Sequence, residues 1–115
     1  MATTDCGIDR QDLLRRLFDT AVAIARPGNC VPKYLPPAPK GQLIVTGAGK
    51  AAAAMARTLE DRWRGPMTGA VVTRYGYDLP TDRIEILTAA HPVPDAASEA
   101  AARRMIDLAL SLIHI

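Results

Sequence analysis

The sequence predicts an α/β fold of the Rossmann-like, three-layer α/β/α kind, with a partial parallel sheet of three strands and helices on its faces. Three observations predict it. Short apolar, β-branched runs stand at 42–46 (QLIVT), 69–73 (GAVVT) and 84–88 (IEILT), each too short for a helix and bounded by turn residues. Helical patterns alternate with them. The first run passes through a glycine turn, GAGK, straight into the alanine-rich stretch that follows, which is the order of a strand, a turn and a crossover helix. A chain of 115 residues holds one domain at most.

The elements follow in order. From Asp9 to about Ala25, Leu14, Leu17, Phe18, Ala21, Val22 and Ala25 recur at three- and four-residue spacing, with Arg10, Arg15, Arg16 and Asp19 opposite, so an amphipathic helix is expected. Asp9 caps its start and Pro27-Gly28 stops it. Residues 29–40 carry four prolines in twelve positions and read as an extended surface connector. The strand at 42–46 leads into a helix from about Lys50 to Arg64, favoured by four successive alanines and stopped by Gly65-Pro66. A second buried strand at 69–73 completes a right-handed βαβ unit, whose two strands are parallel. Only ten residues, RYGYDLPTDR, separate it from the third strand at 84–88, fewer than a crossover with its own helix needs. Ten extended residues still reach about 33 Å, enough to return along a short strand, and a parallel third strand is expected. A final helix runs from about Ala96, with Ala97, Ala101, Met105, Leu108 and Leu112 along one side.

Composition removes several function classes. The chain is 49% hydrophobic and 23% charged, an ordinary globular balance, and its net charge of +2 is too small to imply nucleic acid or an anionic membrane as a partner. The start has neither the basic nor the apolar region of a secretory signal, and no apolar run approaches the roughly 20 residues that span a bilayer. Cys6 and Cys30 have no His or Cys at metal-ligand spacing, so no metal site is expected and a reducing cytoplasm is the expected setting.

In an open parallel sheet, ligands bind beyond the carboxyl ends of the strands. Here that edge collects Gly47-Ala48-Gly49-Lys50, then Arg74-Tyr75-Gly76, then His91-Pro92-Val93-Pro94-Asp95. Gly47 and Gly49 let an anion approach the backbone N–H groups that open the helix, and Lys50 adds a full charge there. A cation in the first turn opposes the helix macrodipole, which argues for an anionic ligand; the alternative is a solvated lysine. The turn lacks the P-loop spacing and its metal-binding hydroxyl. It does meet the dinucleotide pattern through Gly47, Gly49 and Ala52, yet the second strand ends in Thr73-Arg74 where an acidic ribose ligand belongs. Arg74 would suit only the extra phosphate of NADP. His91 stands in a loop, where either a site residue or a surface imidazole is found. Asp95 reads as a cap of the last helix, a place for which Ser98 competes.

The ordered set GAGKAAAAMA, GAVVTRYGY and ILTAAHPVPDAASEAAARRM, from about Leu14 to Ala109, resembles the N-terminal domain of the type II glycerate kinases, the glycerate 2-kinase family also labelled hydroxypyruvate reductases. The resemblance implies ATP-dependent transfer of a phosphoryl group to D-glycerate, giving 2-phosphoglycerate, with Mg²⁺ assisting. It makes Lys50 the catalytic lysine, holding phosphate or carboxylate charge, lets Gly47 and Gly49 admit the substrates, and makes His91 and Asp95 residues that line the site. Family members are much longer, so residues 1–115 are expected to be the first part of a larger α/β unit, inactive alone. Two alternatives stand beside it: an NADP-dependent oxidoreductase using Gly47, Gly49, Ala52 and Arg74, and a non-catalytic remnant.

Overall fold

The computed structural model describes Gly7 and residues 9–111. Cys6, Leu112 and His114 lie outside the described residues. The first helix, α1, is Arg10–Ala25, and the Asp9 carboxylate caps it by accepting a bond from the Gln11 N–H at 3.1 Å. It ends where Pro27 forces the preceding Arg26 into an extended conformation, φ −61° and ψ 134°. No residue of α1 is buried: Leu14, Leu17 and Phe18 are 66%, 59% and 67% exposed, so its apolar face lies outside the core.

The stretch expected to be a wholly extended connector at 29–40 is corrected in its first half. A short helical turn, α2, occupies Pro27–Cys30, and a 3-10 turn occupies Val31–Tyr34. Pro27 and Pro32 open these turns, where a missing N–H costs nothing and the fixed φ already suits a helix. The Asn29 side-chain amide further ties the turn back to the Ala23 carbonyl at 2.6 Å. Only the residues after Tyr34 run on without helical structure.

The sheet consists of β1 (Leu43–Ala48), β2 (Met67–Arg74) and β3 (Ile84–Ala89), in spatial order β1-β2-β3 and parallel throughout. Helix α3, Ala52–Arg62, crosses from β1 to β2, and α4, Ala96–Ser111, follows β3. Side chains alternate across a strand. Met67, Val71 and Ile84 therefore join Ala52, Ala56 and Trp63 of the α3 side in one cluster, with Val45, Leu59 and Ile86 packed against it. Glu85, between Ile84 and Ile86, points the other way and pairs with Arg104 of α4 at 2.8 Å, which places α4 on the opposite face. Ala101 is the buried contact of α4. Small residues make these approaches possible; a Cβ on Gly69 would strike the backbone carbonyl and side chain of Val45 in β1.

The return from β2 to β3 is a bare loop, as the ten-residue spacing predicts; the Arg57 guanidinium holds its Pro80 carbonyl at 2.9 Å, and Glu60 and Arg83 hold its end. Glu60, near the end of α3 and 9% exposed, accepts bonds from the backbone N–H groups of Asp82 (2.6 Å), Arg83 (3.1 Å) and Ile84 (3.2 Å). The Arg83 guanidinium in turn donates to the carbonyls of Glu60 (2.6 Å), Trp63 (3.0 Å) and Gly65 (3.1 Å). Burial alone would raise the Glu60 pKa, but the three N–H groups and the Arg83 charge outweigh it and hold the carboxyl below its usual range. The bare loop thus gains the anchoring that a crossover helix would otherwise supply.

Candidate functional site

The parallel arrangement brings the ends of all three strands to one edge, where a cavity of about 280 Å³ opens. Gly49 and Lys50 come to its wall from the turn after β1, Thr73 and Arg74 from the end of β2, His91 from the loop after β3, and Ser98 from α4. Among the described residues no carboxylate lines it.

The glycine turn is built for close approach. Gly49 has φ +139°, in the region that disfavours a Cβ, and its N–H donates to the Val72 carbonyl at 3.0 Å, joining the turn to β2. The Thr73 hydroxyl donates to the Lys50 carbonyl at 3.4 Å, a second tie. Helix α3 opens without a side-chain cap, because the residue at that place is Ala51. Lys50 is exposed and, among the described residues, no carboxylate lies within ion-pair distance of it. An uncapped helix start beside an unpaired lysine favours negative charge.

Arg74 is the second cation of the wall. Its guanidinium lies 3.7 Å from the centroid of the Tyr77 ring, and its Nε is buried with no hydrogen-bond partner. The tight turn that returns Tyr77 under it is closed by the Tyr77 N–H on the Arg74 carbonyl at 3.2 Å, with Gly76 at φ +78° in the position that a type II turn reserves for glycine.

Asp95 caps α4, one of the alternatives the sequence left open. Its Oδ1 accepts bonds from the Ser98 N–H (3.0 Å), the Ser98 hydroxyl (3.0 Å) and the Ala90 N–H (3.3 Å), while the Ser98 Oγ accepts the Asp95 N–H at 3.1 Å. Its Oδ2 accepts the Tyr75 hydroxyl at 2.7 Å. That hydroxyl above all, with the Ser98 and Ala90 N–H groups and the Ser98 hydroxyl, holds the Asp95 carboxyl at about 2 against a smaller effect of burial. The same bond raises the Tyr75 pKa. Asp95 is thus the latch that fastens the His91 loop to β2, and it lies outside the cavity wall. Gly47 also lies elsewhere, on a second, more apolar cavity of about 450 Å³ between β1 and α3.

Of the residues singled out by the sequence, the structure therefore brings Gly49, Lys50 and His91 to one cavity. The Tyr75–Asp95 bond has no signal in spacing, since it arises only when the bare loop sets β3 beside β2. Arg74 has a signal, its place at a strand end, which the sequence ties only to NADP. Among the described residues no group of three or more His, Cys, Asp or Glu side chains comes together as metal ligands do.

Residues 13–114 match the family described as a domain of unknown function, DUF4147. The chain belongs to this family. A protein of Agrobacterium vitis that carries a hydroxypyruvate reductase name is 48% identical over 99 residues, covering 85% of this chain and 23% of that protein. The glycerate 2-kinase of Pyrococcus horikoshii is 39% identical over 69 residues, 60% of this chain and 16% of the kinase. The crystal structure of a glycerate kinase from Thermotoga maritima superposes with a TM-score of 0.74 at 30% identity, covering 85% of this chain and 24% of that one. The chain thus spans about a quarter or less of the length of these relatives, and the glycerate kinase resemblance and the α/β fold read from its motifs are both borne out.

Proposed function

We propose that this chain forms the glycine-turn wall of the active site of an ATP-dependent glycerate 2-kinase, which transfers the γ-phosphoryl group of ATP to the 2-hydroxyl of D-glycerate. The observation that carries the reading is the convergence of Lys50, Arg74 and His91 on one cavity without a carboxylate, at the edge where an open sheet binds its ligands. In the reaction the acceptor hydroxyl oxygen bonds to the γ-phosphorus as the bond to the bridging oxygen breaks, ADP leaves with that electron pair, and the hydroxyl proton passes to solvent. Such chemistry needs positioning and charge stabilisation more than covalent participation. Lys50, a point charge beside the open N–H groups of α3, suits the phosphoryl oxygens; Gly49 keeps the approach clear, and Asp95 holds the His91 loop in place.

The described residues do not fit a Mg²⁺ site. No acidic residue among them lines the cavity, and both oxygens of Asp95, beside it, are taken by protein donors. The charge stabilisation that this wall supplies comes from its own cations and backbone N–H groups.

A second reading, an NADP-dependent oxidoreductase, is favoured by the name of the Agrobacterium relative and by the spacing of Gly47, Gly49 and Ala52. Against it, β2 ends in Thr73-Arg74, without the acidic residue that holds the ribose hydroxyls of a dinucleotide. The test uses a protein of the relatives' length containing this segment. ATP-dependent formation of 2-phosphoglycerate is expected, Lys50→Ala should lower kcat about 100-fold or more with unchanged circular dichroism, and the 115-residue chain alone should be inactive. Tight NADPH binding without kinase activity would favour the oxidoreductase instead.

A further inference from the structure

Arg74 differs from the four arginines that brace the sheet and its helices. Arg57, Arg83, Arg103 and Arg104 each reach a carboxylate or a carbonyl of the protein. Arg74 reaches none among the described residues, although its Nε is shut off from solvent. A guanidinium whose donors find no acceptor in the protein gains most from a ligand that brings one. Arg74 lines the cavity. Stacking on Tyr77 covers a face of the guanidinium and takes up none of its N–H donors.

The two cations of the wall differ in chemistry as well as place. A guanidinium edge offers two N–H groups side by side, the fork that matches the two oxygens of a planar carboxylate. Lys50 offers an undirected point charge at the uncapped start of α3, where tetrahedral phosphoryl oxygens are held equally well. We propose that Arg74, stacked on Tyr77, binds the carboxylate of the acceptor and makes the site selective for a small 2-hydroxy acid, leaving Lys50 to the transferring phosphoryl group. This rests on the kinase reading above.

The test is steady-state kinetics on the protein of the relatives' length, with D-glycerate and its uncharged amide, D-glyceramide, as acceptors. Arg74→Lys keeps the charge and loses the fork, and should raise KM for D-glycerate at least about tenfold while leaving KM for ATP within about twofold of the parent. Arg74→Gln should also erase most of the preference of the parent for D-glycerate over D-glyceramide. Tyr77→Leu, which leaves Arg74 in place but unstacked, should raise KM for D-glycerate in the same sense and keeps the assignment testable should Arg74→Gln not fold. Unchanged KM for D-glycerate in Arg74→Lys and Tyr77→Leu, or a rise confined to KM for ATP, overturns the assignment in a working kinase. A parent protein that does not phosphorylate D-glycerate overturns the kinase reading itself, and this assignment with it.

Discussion

Replacing Glu60 tests the anchoring of the bare β2 to β3 loop. The carboxylate is nearly buried and accepts three backbone N–H groups, at 2.6, 3.1 and 3.2 Å. In Glu60→Gln one amide oxygen can still serve Arg83 and Ile84, but its NH₂ then faces the Asp82 N–H, donor against donor. One charge-assisted bond is lost, worth about 1.5–3 kcal/mol. Glu60→Ala loses all three and leaves the buried Ile84 N–H without an acceptor, which should cost about 3–5 kcal/mol, a large part of the ~5–15 kcal/mol that holds a domain together. Urea denaturation of the 115-residue chain at pH 7 measures both. The pH dependence has a definite sign: the folded pKa lies below the ordinary 4.5, so the contribution is fully present above that value and is lost as pH falls from there through the lower folded value. The parent should therefore lose stability in that acid range more steeply than Glu60→Gln. Stability of Glu60→Ala within about 0.5 kcal/mol of the parent, or equal acid slopes for parent and Glu60→Gln, would refute the reasoning.

Two further outcomes are expected. Tyr75→Phe removes the main donor to Asp95, so the Asp95 carboxyl should titrate above its present value of about 2 in a carbon-detected NMR titration; an unmoved value would show that the Ser98 and Ala90 donors suffice. Gly69→Ala drives a methyl into the Val45 backbone of β1 and should destabilise the chain by about 1–3 kcal/mol, read as a lower denaturation midpoint; a neutral effect would show that β1 can shift away.

Much of the fold was legible because the apolar runs differ in length and pattern. Short apolar, β-branched runs at 42–46, 69–73 and 84–88 marked the strands, and the alanines of 51–54 marked the crossover helix, so each strand and each long helix appears within a few residues of its expected place. Proline misled at 29–34, since a proline at the first position of a turn supports a helix as readily as it forbids one further in. The candidate site was legible where it depends on local chain direction, as in Gly49, Lys50 and His91. It was not legible where it depends on which strand ends meet: the Tyr75–Asp95 bond spans twenty positions, and the stacking of Arg74 on Tyr77 needs the Gly76 turn.

The bare loop also bears on the order in which the sheet assembles. In β2 and β3 the partners Gly69 and Ile84 stand fifteen positions apart, whereas Val45 of β1 and its partner Gly69 stand twenty-four apart. Closing the shorter span costs about 0.4 kcal/mol less chain entropy, a factor of about two in the population of the closed form. Without a helix to fold between them, β2 and β3 can meet before α3 is complete, and the pair then offers α3 and β1 a surface on which to dock. The same short connection that leaves the loop in need of Glu60 and Arg83 gives this parallel pair an early start.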